Sequence, residues 1–496
     1  MTPLSNAVFG LGCVLSLATT APSFAQSDDS QTQAFKTWVA RSSHPVSSLG
    51  FDAAGNDLSG FGEAIRDARI VIFGDAVEGA AEPLQMRNRL FRYLVEKKGF
   101  TAIVLESGIL EGKAIDHYVD GGPGDFDHIM AQGITTGFSG YTGNRDLVRW
   151  MRQWNANLVR HRKLRFFGFD ISGSPLNRLG EGSVDKPLKV ALAYLERVDP
   201  ETAASFHGRL DPLLPSVFWD FAGAMCVSQG GPWCAEVPEA ERAALAGRKQ
   251  YFDLDADQRD RLTATIGDLV AHIDRNPLRY REASSAENYD WGLRAAVAAR
   301  QTDAFLRARV PVSWSPTDGP PKVGDGAQKG RTRAMLDNFE WILDHLAKND
   351  KILVYTTRFH AAGAPLTVGN GAPILPFGAE LRKLHGLDVV ILGDLVSDGE
   401  TGCGTQMVLP IPRPSRTSID GMIASLDAPY FYVDLRQAPT EVSNWLHQPQ
   451  TLQAGGKQST SLADAFDFLF YTGTLSAACP IDPHAFRVPL PQNTGE

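Results

Sequence analysis

The chain has 496 residues, of which 43% are hydrophobic and 21% are charged, and its formal net charge at pH 7 is −9. This composition is typical of a globular protein with enough length for a large core. The negative balance and the absence of a basic run argue against a nucleic-acid partner, because a phosphate backbone selects for clustered Lys and Arg.

The N-terminus predicts an export signal. Residues 7–21 are apolar and uncharged, and Ser23, Phe24 and Ala25 form a small-x-small cleavage site before Gln26. The apolar run is short for a membrane span. We therefore expect a signal peptide over 1–25, a periplasmic or secreted mature protein, and no membrane association after the signal is removed.

The cysteines suggest disulfides. The chain has five, and Cys13 lies in the predicted signal, so an even number remains in an exported protein. Cys226 and Cys234 flank a turn-rich stretch, which favours a local bridge and leaves Cys403 to pair with Cys479. The alternative is four independent thiols.

Six short apolar runs have the continuous character of buried parallel strands. They are residues 68–75, 100–107, 164–170, 351–357, 387–394 and 430–435. Helical patterns lie between the early runs, as expected of βαβ units. The predicted fold class is α/β, with a mainly parallel central sheet flanked by helices.

The middle of the chain differs, because residues 183–310 carry mostly helical patterns. We interpret this segment as a helical insertion between a first part of the α/β core at 26–182 and a second part at 311–487. A tail at 488–496 follows. Residues 26 to about 35 are also expected to be poorly ordered.

Several candidate functional residues follow predicted strands. Ligands of parallel sheets bind beyond the carboxyl ends of the strands. Asp75, Glu106 and Asp170 end three of the predicted strands, Glu78 lies in the loop after Asp75, and His360 follows the strand at 351–357. The sequence therefore predicts an acidic site with one imidazole at this edge.

A further candidate, Arg87, lies on the apolar stripe of the helix predicted after this loop, in register with Leu90 and Leu94. A buried Arg needs a partner. Because Arg87 is near the start of its helix, we expect it to pair with Asp75 or Glu78. The sequence contains no G-x-S-x-G elbow, phosphate-binding loop, H-E-x-x-H or G-x-G-x-x-G, so serine hydrolases and ATPases lose support.

The stretch from Gly74 to Ser107 resembles the erythromycin esterase family. Members of that family carry G-E-x-x-H-G, then a helix with a fixed Arg, then a strand that ends in Glu. Later segments resemble further family motifs in the same order: LRFFGFD (164–170), RTRAMLDN (331–338), KILVYTTRFH (351–360) and YFYVDLR (430–436). The resemblance spans residues 40 to 475 approximately.

The resemblance implies an α/β core with a helical insertion and an enzyme that hydrolyses a macrolide lactone with an activated water. It implies a small-molecule substrate, no cofactor and a possible role in antibiotic resistance. Some family positions are exchanged: Asp75 replaces Glu, Glu78 replaces the His that acts as base, Thr332 replaces Asp, Thr357 replaces His, and Arg358 replaces Asn. Arg87, Glu106 and His360 are retained.

Three hypotheses remain open at this point. In the first, the protein is an ester or lactone hydrolase in which Glu78 is the base, Arg87 and Glu106 fix the water, Asp75 helps to raise the pKa of Glu78, and His360 is an acid or oxyanion donor. In the second, it is a non-catalytic relative that binds a small molecule. In the third, the carboxylates and His360 hold Mg²⁺, Mn²⁺ or Ca²⁺, although Arg87 disfavours a cation. We assign no metal ligand.

Overall fold

The computed structural model describes residues 24–135, 138–157, 162–173, 181–214, 218–220, 251–310, 325–403, 408–426 and 429–480. The predicted Cys226–Cys234 bridge, the tail at 488–496 and residues 1–23 lie outside these ranges.

The strands, in chain order, are β1 (His44–Pro45), β2 (Ile70–Asp75), β3 (Phe100–Gly108), β4 (Arg165–Asp170), β5 (Glu181–Ser183), β6 (Phe218–Asp220), β7 (Lys351–Thr357), β8 (Thr367–Val368), β9 (Val389–Thr401), β10 (Leu409–Ile411), β11 (Phe431–Asp434), β12 (Gln450–Leu452), β13 (Gln458–Thr460) and β14 (Phe468–Leu475).

The α-helices are α1 (Phe24–Ser42), α2 (Ser59–Ala64), α3 (Ala81–Lys98), α4 (Ile109–Val119), α5 (Phe126–Gly133), α6 (Thr142–Ala156), α7 (Asp185–Val198), α8 (Pro200–Leu210), α9 (Ala256–Asp274), α10 (Pro277–Ala283), α11 (Ala286–Arg307), α12 (Asp325–Asp344), α13 (Arg358–Ala361), α14 (Phe377–His385), α15 (Ile419–Ala424), α16 (Thr440–Leu446) and α17 (Leu462–Ala465).

The central sheet has nine strands in the order β1-β11-β14-β9-β2-β7-β3-β4, with β10 also paired to β9. The run from β14 to β4 is parallel, whereas β1, β10 and β11 pair antiparallel with their neighbours. This confirms the predicted α/β class with a mainly parallel sheet flanked by helices.

One predicted strand runs in the opposite direction to the parallel arrangement that we expected. The run at 430–435 forms β11, which pairs antiparallel with β14, a strand that we did not predict. All four residues of β11 are buried, and this uniform burial gives it the continuous apolar character of a parallel strand.

The sheet separates two hydrophobic clusters. Successive side chains of a strand point to opposite faces. On β2, Ile70 and Ile72 therefore join one cluster, while Val71 and Phe73 join the other. The apolar run of the sequence is buried on both sides, and only its carboxyl end is free to carry polar groups.

Helices α7 to α11 come between β4 and α12 in the chain and share a separate hydrophobic cluster that includes Leu195, Ile266 and Leu306. This is the part of the chain that the sequence marks as helical. The domain boundaries stay predictions.

The sequence led us to expect poor order at residues 26 to about 35, and this stays a prediction. Helix α1 covers this segment and buries Phe35, whose ring centroid lies 5.1 Å from that of Trp445 on α16. Phe35, Trp38 and Val39 are spaced i, i+3, i+4, so they form one buried stripe.

The predicted disulfide between Cys403 and Cys479 is present, with a distance of 4.9 Å between the Cα atoms. Within the described ranges, none of the helices combines the length and apolar character needed to span a bilayer.

Candidate functional site

The register of β2 sets the centre of the candidate site. At its carboxyl end, Asp75 pairs with Thr357 of β7. On the other side, Gly74 pairs with Gly393 of β9, so Asp394 lies level with Asp75. Parallel pairing thus brings two carboxyl groups from distant parts of the chain to adjacent strands at the same edge.

The next two strands extend this row. Leu105 of β3 pairs with Tyr355 of β7, and Glu106 follows at the level of the β7 end. Gly108 pairs with Asp170, the last residue of β4. The strand ends that the sequence marked as acidic therefore meet along one edge of the sheet.

A cavity opens above this row and encloses about 410 Å³ including its mouth. The cavity is lined by Asp75, Glu78, Gly79, Leu84, Arg87, Leu105, Glu106, Ile134, Phe138, Tyr141, Asn144, Tyr355, Thr356 and Thr357. It brings together four of the five predicted site residues, and His360 lies behind Glu106.

Glu106 is the most strongly bound of these carboxylates. It accepts hydrogen bonds from the Thr356 hydroxyl and from the Thr357 N–H at 3.0 Å, and it pairs with Arg331 at 2.7 Å. Burial alone would raise its pKa, but the Arg331 guanidinium and these hydrogen bonds lower the pKa of Glu106 to about 2. Glu106 is therefore ionised at neutral pH.

His360 supports Glu106 from behind. Its side chain is buried, and its Nε2 lies 3.6 Å from the Glu106 carboxylate. Burial lowers the pKa of His360 to about 4 despite the nearby Glu106. The imidazole is thus neutral at pH 7, and Arg331 is the cation that keeps Glu106 charged.

Arg331 on α12 is the main site residue that we did not predict. Its guanidinium binds both oxygens of Asp170, with Nε at 3.0 and 3.1 Å, and its Nη2 reaches Glu106. Such forked contacts are the strongest that Arg makes with carboxylates. Its position at the start of the 331–338 motif was the one sequence feature that could have identified Arg331 as a site residue.

The predicted ion pair of Arg87 with Asp75 or Glu78 is wrong, because no carboxylate of the described residues lies within ion-pair distance of Arg87. Its guanidinium donates to the side chains of Asn88 and Asn144, at 2.7 Å each through Nη2 and Nη1.

The guanidinium also lies 4.7 Å from the ring centroid of Tyr355. That aromatic ring supplies a cation–π partner in place of a carboxylate. Burial lowers the pKa of Arg87 to about 10, which leaves it cationic.

Only one oxygen of the Asp75 carboxylate has a side-chain hydrogen bond from the described residues. The Tyr355 hydroxyl donates to its Oδ2 at 2.9 Å, whereas the buried Oδ1 has no hydrogen-bond partner among the described residues. Burial, with repulsion from Glu106 and Asp394, raises the pKa of Asp75 to about 7 against the opposing effects of Tyr355 and Arg87.

Glu78 has the least constrained carboxylate in the cavity. No hydrogen bond or ion pair from the described part of the chain reaches it, and its exposed surface faces the cavity. Although Glu78 is exposed as a residue, the cavity walls desolvate its carboxyl group, and this desolvation, followed by repulsion from Glu106 and Asp75, raises the pKa of Glu78 to about 8. The group is therefore free to exchange a proton near neutral pH.

Tyr141 brings a hydroxyl to the cavity wall beside the loop that carries Glu78. Its ring stacks on Phe138 with centroids 5.1 Å apart, and a Cβ on Gly79 would lie 3.2 Å from its hydroxyl oxygen. Burial and the negative charge of Glu78 and Asp75 raise its pKa, so the phenol stays protonated. We did not predict Tyr141, because an aromatic residue before a helix is usually part of the core.

Two exchanged family positions lie in different places. Thr357 lines the cavity, whereas Arg358 is buried and points away from it, with Nη1 at 3.0 Å from Asp420 and Nη2 at 2.7 Å from the Ala454 carbonyl oxygen. In the described ranges, no three His, Cys, Asp or Glu side chains are arranged to hold a metal ion. The geometry therefore gives no support to the metal hypothesis.

Comparison with known proteins gives concordant matches. The family model described as Erythromycin esterase matches residues 95–474, a range that begins after the loop holding Asp75 and Glu78. Similar curated proteins include erythromycin esterase type II of Escherichia coli, which is 21% identical over 420 residues covering 83% of this chain and 91% of that protein. The putative hydrolase YbfO of Bacillus subtilis (strain 168) is 19% identical over 434 residues, 84% of each chain.

Solved structures share the fold. A Bacillus cereus protein has a TM-score of 0.69 at 21% identity, covering 90% of this chain and 98% of that one. A succinoglycan biosynthesis protein has a TM-score of 0.68 at 16% identity, with the same coverage. A mutant of erythromycin esterase EreC in its open conformation has a TM-score of 0.62 at 15% identity, covering 86% and 95%.

Proposed function

Because the chain belongs to the erythromycin esterase family, which indicates a hydrolase, we propose that it hydrolyses an ester or lactone with Glu78 as the base that activates water. The observation that carries this proposal is the Glu78 carboxylate, which no described residue binds, in a cavity where Asp75 and Glu106 are each held by a neighbouring side chain. Glu78 occupies the position of the family His in the G-E-x-x-H-G motif.

The proposed reaction needs a proton acceptor, an oxyanion donor and a proton for the leaving group. Glu78 takes a proton from water while the water oxygen attacks the carbonyl carbon, and the Tyr141 hydroxyl donates a hydrogen bond to the developing oxyanion. The tetrahedral intermediate collapses as protonated Glu78 returns the proton to the leaving alkoxide. The products are a carboxylic acid and an alcohol.

The raised pKa of Glu78 makes it a suitable base. A carboxylate with a normal pKa of 4.5 holds a proton too weakly to remove one from water. With a pKa of about 8, Glu78 is ionised in a useful fraction at neutral pH and is a stronger base when ionised. Arg87, which has no carboxylate of its own, supplies positive charge to the wall of the cavity.

The test is turnover of a panel of aryl esters, small lactones and macrolides, measured as the mass gain of one water. We expect Glu78→Gln to lower kcat by about 10²–10⁴. Glu96→Gln, which removes an exposed i,i+4 ion pair with Arg92 on the same helix, is the matched control and should keep full activity. Unchanged turnover in Glu78→Gln would rule out this base.

A second candidate, a binding protein without catalysis, is favoured by one observation. Arg358 turns its side chain to Asp420, and His360 lies behind Glu106, so two of the later family positions do not face the cavity. Binding of a lactone with a measurable Kd, without turnover between pH 6 and 9, would support this role over the first.

Export is also proposed. The apolar segment at 7–21 and the Cys403–Cys479 disulfide support an oxidising compartment, where such bonds persist. Expression of the full chain followed by fractionation should place the protein in the periplasm or medium, with Gln26 as its first residue. Retention of the whole chain in the cytoplasm would contradict this.

A further inference from the structure

We propose that the disulfide between Cys403 and Cys479 positions the candidate site by holding the loop that carries Glu78 against the wall that carries Tyr141. This rests on the proposed function only for its catalytic consequence. The disulfide joins the segments after β9 and β14, which are separated by 76 residues in sequence.

The loop is attached to both ends of the disulfide. The carbonyl oxygen of Gly79 accepts hydrogen bonds from the N–H groups of Gly402 at 3.1 Å and Ala478 at 2.9 Å. Each donor is the residue immediately before a bonded cysteine. The Glu78 backbone is therefore fixed by two segments that the disulfide keeps together.

Further contacts surround this point. The Thr401 hydroxyl donates to the carbonyl oxygen of Glu78 at 2.5 Å. Gly79 has a φ of +79°, and a Cβ there would lie 2.5 Å from the Thr401 hydroxyl oxygen. The chain after Glu78 thus needs glycine both for its left-handed backbone and for its close approach to β9.

The wall that carries Tyr141 uses the same anchor. The N–H of Thr142, the first residue of α6, donates to the carbonyl oxygen of Ala478 at 2.9 Å. A Cβ on Gly140 would lie 3.0 Å from the Cys403 sulfur, so this turn packs directly on the disulfide. Tyr141 lies between these two anchored residues.

Loss of the disulfide should therefore loosen both walls. A dithiol reductant attacks one sulfur, which releases the other cysteine as a thiol and leaves the attacked cysteine in a mixed disulfide; the second thiol of the reductant then displaces the attacked cysteine. The two electrons come from the dithiol, which leaves as a cyclic disulfide, and both cysteines become thiols. The hydrogen bonds to Gly79 and Thr142 then depend on two segments no longer joined covalently.

The test is hydrogen exchange of the full-length protein, folded with the disulfide and then reduced with dithiothreitol under native conditions. We expect amides in 79–82, 140–144, 401–403 and 476–479 to exchange at least about tenfold faster after reduction, while 70–73 and 351–355 stay unchanged. A Cys226→Ser, Cys234→Ser variant, which keeps only this pair in the predicted mature chain, should respond in the same way. Identical exchange before and after reduction overturns the proposal.

An activity measurement separates this proposal from the proposed function. Reduction should lower kcat by about tenfold or more and change KM by less than about twofold, because the base and the oxyanion donor are displaced rather than the binding walls removed. A Cys403→Ser, Cys479→Ser variant should match the reduced protein. If exchange accelerates locally while neither redox form turns over any substrate, positioning is supported and the proposed hydrolysis fails.

Discussion

The two carboxyl groups at the end of β2 titrate near neutral pH, and this gives the site a specific pH dependence. The pKa of Glu78 is raised to about 8 and that of Asp75 to about 7. The base must be ionised, so kcat/KM should rise with pH, about tenfold per unit at the acidic end, and level off above about pH 8. A profile governed by a histidine of normal pKa would instead level off near 7. A pH–rate curve from pH 5 to 9.5 distinguishes these outcomes.

The raised pKa of Asp75 also predicts a cost in stability. Its pKa rises from an ordinary value of 3.8 to about 7 in the fold, so the folded state binds the proton more tightly. The resulting stabilisation is complete below about pH 4 and is lost as the pH rises through 7. Asp75→Asn should therefore gain about 2–3 kcal/mol in unfolding free energy, relative to the parent chain, between pH 4.5 and 8.

Urea unfolding at the two pH values measures this gain. Asp388→Asn, at an exposed aspartate before β9, is the control for the substitution itself. If the unfolding free energy of Asp75→Asn differs from that of the parent chain by the same amount at both pH values, the buried carboxyl does not titrate in this range.

Restoring the family residues tests whether only the base has been exchanged. Both Glu78 and Thr357 line the cavity. Glu78→His alone should give little lactone hydrolysis, because Thr357 still stands where the family has its second His. Glu78→His with Thr357→His should give more than the sum of the single changes, since residues that act together are non-additive. Macrolide ring opening followed by mass provides the measurement, and a folded but silent double variant would mean that the cavity itself has diverged.

At the scale of elements, α12 is tied to the sheet edge through one side chain. Arg331 pairs with Glu106 and with Asp170, which end different strands. Arg331→Gln leaves both carboxylates without their cation and should cost about 3 kcal/mol of unfolding free energy. It should also depress turnover, because the charge of Glu106 is no longer balanced. Arg333→Gln, on the exposed side of the same helix, should change neither quantity by a measurable amount.

At this scale, physical reasons explain which elements and contacts could be predicted from the sequence. Strands β2, β3, β4, β7 and β9 could be predicted because burial on both faces leaves continuous apolar runs, and their acidic ends followed from the direction of a parallel sheet. The contact between Arg331 and Glu106 joins residues 225 positions apart, and local periodicity carries no information about such pairs. The catalytic roles of Asp75, Glu78, Arg87, Glu106 and His360 stay predictions.

The error over Arg87 has a more general cause. The apolar stripe correctly placed Arg87 in the interior, where it is 1% exposed. Helical spacing does not identify the partner, however, and the nearest acceptors are amide oxygens and the ring of Tyr355 rather than a carboxylate. A buried cation needs satisfied donors, and these need not carry charge.

At the scale of the whole molecule, distant segments hold the site from two directions. Glu106 and Arg331 connect β3 to α12 at one end of the cavity, and the disulfide connects β9 to β14 at the other. The loop with Glu78 lies between these connections. None of the described residues binds its side chain, while its backbone is fixed, which is the arrangement expected of a group that must act on a ligand.

The last prediction concerns the N-terminal helix and export together. Cleavage after Ala25 would remove the predicted signal but keep Phe35, Trp38 and Val39, the buried stripe of α1. A chain that begins at Gln26 should therefore unfold at the same urea concentration as the full chain.

Phe35→Ala should lower the unfolding free energy by about 3–5 kcal/mol, because it opens a cavity against Trp445. Gln33→Ala, at an exposed position of the same helix, is the control and should change it by less than about 0.5 kcal/mol. If Phe35→Ala changes the unfolding free energy as little as Gln33→Ala does, α1 is not part of the cooperative core, and processing beyond residue 35 would be tolerated.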